Sequence, residues 1–145
     1  MRFAVRLSNA DGAYIASCRD LSAFNSVGDT EEEALRESVD AIVLVLQCFM
    51  DEGLPIPTAS EIRRGERWVA LPALVVVKIG LYTALLAKGI QRVQLARQLG
   101  ARPPQVGSLL DLAHKSELDQ MEAALAVLGY RVNLSVEPIS APHSE

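Results

Sequence analysis

The chain has 145 residues, half of them apolar, and a formal charge of −4. That is enough apolar material for a real core, so a disordered chain is excluded, and enough length for one medium domain or two small ones. Cys18 and Cys48 stand far apart with no C-x-x-C and no histidine cluster, which argues against a metal site and for two buried thiols in a reducing cytoplasm.

Phe3, Val5 and Leu7 alternate with Arg2, Arg6 and Ser8, the period of a half-buried strand rather than of a secretory leader. Asn9 to Gly12 reads as a turn, because Asp11 and Gly12 tolerate the positive φ of a hairpin. Tyr14 to Cys18 is the return strand and Leu21 to Val27 a weaker third one. Thr30 and Glu33 then form an S/T-x-x-E capping box, with Glu31 to Glu33 suiting the positive end of a helix dipole. Leu35, Val39, Ile42, Leu46 and Phe49, with Val45 and Met50 broadening it, predict the buried face of that helix, which Gly53 stops.

Residues 53–66 are expected to be a connector, since Pro55 and Pro57 bar the residues before them from helical geometry. Arg67 to Leu71 returns as a fourth strand, and Pro72 opens a helix that ends at Gly89. Trp68 to Ala87 is apolar enough to raise the question of a membrane span. Pro72, Lys78 and Gly80 interrupt it, so no membrane association is expected.

Arg92 to Asp111 reads as helix, tight turn, helix. Ala96 is small where a second helix must cross, Gly100 suits a left-handed turn, and Val106 and Leu109 face inward beyond it. This is the spacing of a helix-turn-helix, whose second helix enters the DNA major groove, although small helical hairpins imitate it. Ser116 with Asp119 predicts the cap of a last helix, marked by Leu118, Met121, Leu125 and Leu128 and ended by Gly129. Tyr130, Val132, Leu134 and Val136 then alternate with polar residues. A lone strand leaves its ladder groups unpaired, so this one is expected to pair with its copy in a second subunit. Residues 138–145 are expected to be a flexible tail.

Charge is divided unevenly. From Gly28 to Glu52 there are eight acidic residues and one Arg; from Lys78 to Lys115 there are six basic residues and one Asp. The basic stretch coincides with the helix-turn-helix. Arg92, Arg97, Lys88 and Lys115 are candidate phosphate contacts, with ordinary surface charge as the plainer reading. Arg102 and Gln105 are candidate base readers, Arg toward guanine and Gln toward adenine, and a capping role is the alternative. Gly107 and Ser108 are small enough to let DNA approach. Pro103 and Pro104 offer no donor where a recognition helix begins, which weakens sequence discrimination.

The stretches DGAY, GDTEEEAL, the G-x-P-I-P exit, RWVALPALVVVKIGLYTALLAKGI and DLAHKSELDQMEAALAVLGYRVNLSV occur here in one order. In that order the chain resembles the HicB family of antitoxins, partners of the HicA RNA-cleaving toxins, over nearly its whole length. The resemblance implies an α+β protein. Residues 1–71 would form a partial RNase H-like domain, an antiparallel sheet with one long helix, that binds the toxin. Residues 72–137 would form a helix-turn-helix domain, ending in a β-strand, that represses the pair's own operon as a homodimer or higher homo-oligomer on operator DNA. Tyr14, Asp29, Glu31 and Glu32 are the candidates for contact with a basic toxin, against plain helix capping for the acids and core packing for the tyrosine. No cofactor is implied. An RNase H-like fold raises a vestigial nuclease, but Asp11, Asp20 and Asp29 have structural explanations, and His114 and His143 lack a nucleophile partner at any recognised spacing. A protein-only inhibitor whose helices serve oligomerisation is the remaining alternative.

Overall fold

The computed structural model describes residues 1–22 and 24–139. Its order is β1 (Arg2–Ala10), β2 (Ala13–Cys18), β3 (Ser26–Gly28), α1 (Glu31–Asp51), β4 (Glu66–Ala70), α2 (Ala73–Lys88), α3 (Arg92–Leu99), α4 (Pro103–Leu109) and α5 (Leu118–Val127).

Asp11 and Gly12 sit at φ 53° and 82°, the left-handed pair of a two-residue hairpin, and set the register Ala10↔Ala13. The strands form one antiparallel sheet in the order β3-β2-β1-β4. Phe3↔Val69 and Val5↔Cys18 are paired and buried, so their shared face is the one turned to the core. On the opposite face Arg2 stacks over the Trp68 ring at 4.2 Å, a cation–π contact on the strand pair β1–β4.

The expected cap of α1 is present: Glu33 N donates to Thr30 Oγ1 at 3.0 Å, and Asp29 N donates to Glu33 Oε1 at 2.6 Å. The buried stripe of α1 is shifted from the expected one. Ala34, Ser38, Ile42, Leu46 and Met50 are buried, while Leu35, Val39 and Phe49 are half-buried. Small residues lead this stripe because α1 starts in contact with β3. A Cβ on Gly28 would stand 2.4 Å from Ala34 N. The third strand is shorter than expected. Leu21 and Phe24 are core residues of a turn, Leu21 N donating to Cys18 O and Phe24 N to Leu21 O. Cys18 is buried as expected, but Cys48 is exposed, on the solvent side of α1.

The connector is strapped to the sheet by side chains. Ser60 donates from N and Oγ to the Asp20 carboxylate, and Arg19 Nη2 donates to Glu61 O at 2.8 Å. Arg19 also forks onto Glu66 at 2.7 and 2.8 Å, and Arg63 N donates to the same carboxylate. The Glu66 side chain is wholly buried, and the Arg19 guanidinium beside it lowers its pKa to about 2. A carboxylate held this low contributes stability that is complete above its ordinary pKa near 4.5 and is lost as the pH falls toward about 2. Glu66→Gln is expected to lower stability at pH 7 by about 2 kcal/mol, roughly 6 °C in Tm. In thermal melts the gap between the variant and the parent should close between pH 5 and pH 2.

The helical half turns sharply at glycines. Gly89 and Gly100, both at φ 65°, end α2 and α3, and α2 meets α3 at 106°. Leu81, Leu95, Val106 and Met121 are wholly buried between α2, α3, α4 and α5. This core is continuous with that of the sheet, and Tyr82 Oη on α2 donates to Leu54 O beyond α1 at 2.6 Å. Pro72 is the N-cap of α2 rather than its first residue. The cap expected from Ser116 is absent: α5 starts after Glu117, whose N–H donates to Gln120 Oε1, and Ser116 is buried elsewhere. Leu118 is largely exposed, whereas Met121, Leu125 and Leu128 are buried as expected. Among the described residues no single helix is long and apolar enough to cross a membrane.

Among the described residues no strand forms from Tyr130 to Ile139. Gly129 at φ 86° turns the chain, Tyr130 N donates back to Leu125 O, and the following residues run without a ladder. The alternating pattern supplies a strand's faces but not its partner, and among the described residues nothing pairs with it. The expected tail from 138 lies outside the described residues from position 140, as does His143.

Candidate functional site

Two surfaces stand out, one at each end of the molecule's sequence. The first is built by α3 and α4. Ala96, 2% exposed, lets the helices cross closely, and Val106 and Leu109 anchor α4 from beneath. Arg92 and Arg97 on α3, Arg102 and Gln105 at the start of α4, and Lys115 beyond it are all exposed. Arg102 is the N-cap of α4, in extended backbone. Its N–H donates to Gln105 Oε1 at 2.7 Å, so the amide proposed to read a base also caps the helix. Ser108 is half-buried and its hydroxyl donates back to Pro104 O at 3.3 Å.

Pro103 and Pro104 occupy the first two positions of α4, where their missing N–H groups disturb nothing in the helix. They also remove the amides with which a helix start ordinarily holds a phosphate. Anion contacts here fall to side chains. Lys88 is set apart from this group: its ammonium lies beside Gly129, where the chain leaves α5. Arg92 lines a cleft of about 590 Å³ with Asp51, Tyr82 and Leu110, between the end of α1 and the start of α3.

The second surface is the junction of β3 with α1. Tyr14 pairs with Gly28 in the sheet, and Asp29, Glu31 and Glu32 follow within one turn, so the four candidates lie together. Asp29 and Glu32 are exposed. Glu31 is bound by Arg67 at 2.9 Å, an exposed pair of small energetic weight that halves the local charge. Tyr14 is half-buried. Arg67 could not be placed here from neighbouring residues, since the pair spans strand and helix.

At the chain's far end Tyr130 and Leu134 are 44% and 58% exposed and Val136 is wholly exposed, while Val132 packs partly on the core. Asp11 and Asp29 lie in a turn and beside a helix cap, and Asp20 holds Ser60. Among the described residues no three acids, cysteines or histidines come together to hold a metal.

Comparison with known proteins matches residues 2–80 to the family described as HicB_like antitoxin of bacterial toxin-antitoxin system. Over nearly its whole length the chain is similar to Antitoxin HicB of Pseudomonas fluorescens (strain Pf0-1), 38% identical over 137 residues, 93% of each chain. It is 31% identical to Antitoxin HicB 2 of Photorhabdus laumondii over 92% of this chain and 95% of that one. Antitoxin HicB of Escherichia coli K12 is 27% identical over 92% of this chain and 98% of its own. These relatives are named as antitoxins, not as enzymes.

Proposed function

Because the chain belongs to the HicB-like family of antitoxins of bacterial toxin–antitoxin systems, we propose that it neutralises a small RNA-cleaving toxin of the HicA kind and represses its own operon. Residues 1–71, a partial RNase H-like unit, cover the toxin with the acidic β3–α1 junction. Residues 72–137 read operator DNA through α3 and α4 as a helix-turn-helix. Two chains pair through Tyr130, Val132, Leu134 and Val136, placing two α4 helices on two half-sites.

The observation that carries the DNA reading is the α3–α4 pair. Two short helices meet at a left-handed Gly100 over buried Ala96 and Val106, with Arg97, Arg102 and Gln105 left in solvent. Salt-sensitive binding through Arg92, Arg97 and Lys115 is expected of phosphate contacts. The pair Pro103-Pro104 and the capping use of Gln105 favour a second reading, a protein-only inhibitor whose helices serve oligomerisation.

Fluorescence anisotropy against DNA from just upstream of the chain's own gene, with unrelated DNA beside it, separates the two. Arg102→Ala is expected to weaken binding to its own DNA about 10-fold, on the order of 1.4 kcal/mol, and to leave unrelated DNA nearly unaffected. Equal binding to both DNAs leaves only phosphate contacts. Binding to neither establishes the protein-only reading.

A further inference from the structure

The middle of α2 carries a buried lysine. Lys78 is 0% exposed, and its ammonium donates to Ser108 O at 2.8 Å, Asp111 O at 2.9 Å and Ser116 Oγ at 2.8 Å. Three donors meet three acceptors. Among the described residues no carboxylate lies within ion-pair distance of it, and the Asp111 carboxylate accepts instead from Ala113 N. Burial without a counter-ion pushes the Lys78 pKa below its ordinary value.

Stability alone does not account for such a residue. An apolar side chain of similar length would fill the same space without desolvating a charge. What the ammonium supplies is direction. Ser108 O belongs to the last turn of α4, where the dipole is negative, and Asp111 O belongs to the turn just beyond; each also accepts one backbone N–H, from Asp111 and His114. The same turn is gripped from the other side by Gln47 of α1. Leu112 N donates to Gln47 Oε1 at 2.8 Å, and Gln47 Nε2 lies 3.4 Å from Leu110 O. A helix of seven residues is too short to hold its own position.

We propose that Lys78, with Gln47 opposite, is a positioning residue for α4: it fixes the helix that presents Arg102 and Gln105 and ties it to the toxin-binding half of the chain. This rests on the helix-turn-helix reading above.

The test is the ratio of affinities for the chain's own upstream DNA and for unrelated DNA, by anisotropy, with melting temperature measured on the same samples. Lys78→Met is expected to keep its Tm within a few degrees, or to raise it, while the ratio falls about 10-fold or more. Gln47→Ala, at a half-buried position, is expected to lower the ratio about threefold and to fold in any case. A loss of folded protein would lower both affinities together and leave the ratio unchanged. The parent ratio should also fall as the pH is raised into the alkaline range, where the desolvated ammonium loses its proton ahead of surface lysines, and stay flat in Lys78→Met. The titratable groups facing Lys78 are Asp111 and His114, whose Nδ1 lies 3.2 Å from Ser116 Oγ. An unchanged ratio in both variants overturns the proposal while the helix-turn-helix reading stands. A parent ratio near one removes that reading, and this inference with it.

Discussion

A chain ended at Gly129 is expected to sediment as a monomer where the full chain sediments as a dimer, and to bind its upstream DNA at least about 100-fold more weakly. The removed segment contributes little to the core. Tyr130 is partly and Leu134, Val136 and Ile139 are largely or wholly in solvent, and among the described residues of the segment Val132 packs partly on the core. The helices should therefore remain folded, with Tm within a few degrees of the parent. What is lost is a row of apolar side chains and backbone groups that, in the dimer proposed above, a second copy of the segment would satisfy. Two helices joined on one duplex bind with the second contact made intramolecular, and separating them removes that advantage. Unchanged mass after truncation would place the contact between copies elsewhere.

The second large effect is expected at Gly28. A Cβ there would stand 2.4 Å from Ala34 N and 2.9 Å from Ala34 Cα and Glu33 C, all backbone atoms of the first turn of α1. No side chain can swing aside to make room, so β3 must peel from β2 or the start of α1 must lift. Gly28→Ala should lower stability by about 3 kcal/mol, near 9 °C in Tm. The same shift carries Asp29, Glu31 and Glu32 away from Tyr14. Titration against the toxin is expected to show at least about a 10-fold loss, through slower association and faster dissociation alike. Gly107→Ala is the control. A Cβ there meets nothing within 4 Å, and alanine in place of glycine inside α4 is neutral or stabilising by up to about 1 kcal/mol. Toxin binding that survives Gly28→Ala would move the toxin contact away from this junction.

Features written in neighbouring residues were readable from the chain. Asp11-Gly12 specifies a left-handed hairpin, Thr30 and Glu33 specify a cap, and Gly89 and Gly100 specify left-handed stops. The fourth strand was readable as Arg67 to Leu71, one residue later than the observed Glu66–Ala70. Features that depend on distant partners were not. Lys78 counts as surface charge in any linear reading, and only the fold brings three acceptors to it from 30 or more residues away. Ser116 reads as a cap for the same reason. The inward face of α1 was misplaced because Ala34 and Ser38 are buried by close approach to Gly28, not by their own hydrophobicity. At the candidate DNA surface the exposed arginines were legible, but the capping role of Gln105 and the separation of Lys88 toward α5 required coordinates. The alternation from Tyr130 to Val136 was real in sequence and incomplete in one chain.

The place of β4 beside β1 sets a timetable for the newly made chain. β1 is an inner strand, yet one of its two neighbours comes from Glu66–Ala70, and Leu71 N donates to the carbonyl of Met1. β1 is made before β4 and therefore waits for it before its ladder is complete, and closing so long a loop is slow compared with forming a hairpin. The helices after Pro72 join through short turns and close quickly once they emerge. The connector with its arginine–glutamate fork lies directly before β4, so the same contacts that strap it down also deliver the last strand to the sheet. Translation that stalls before Glu66 leaves β1 with an open edge, the condition in which strands seek partners in other chains.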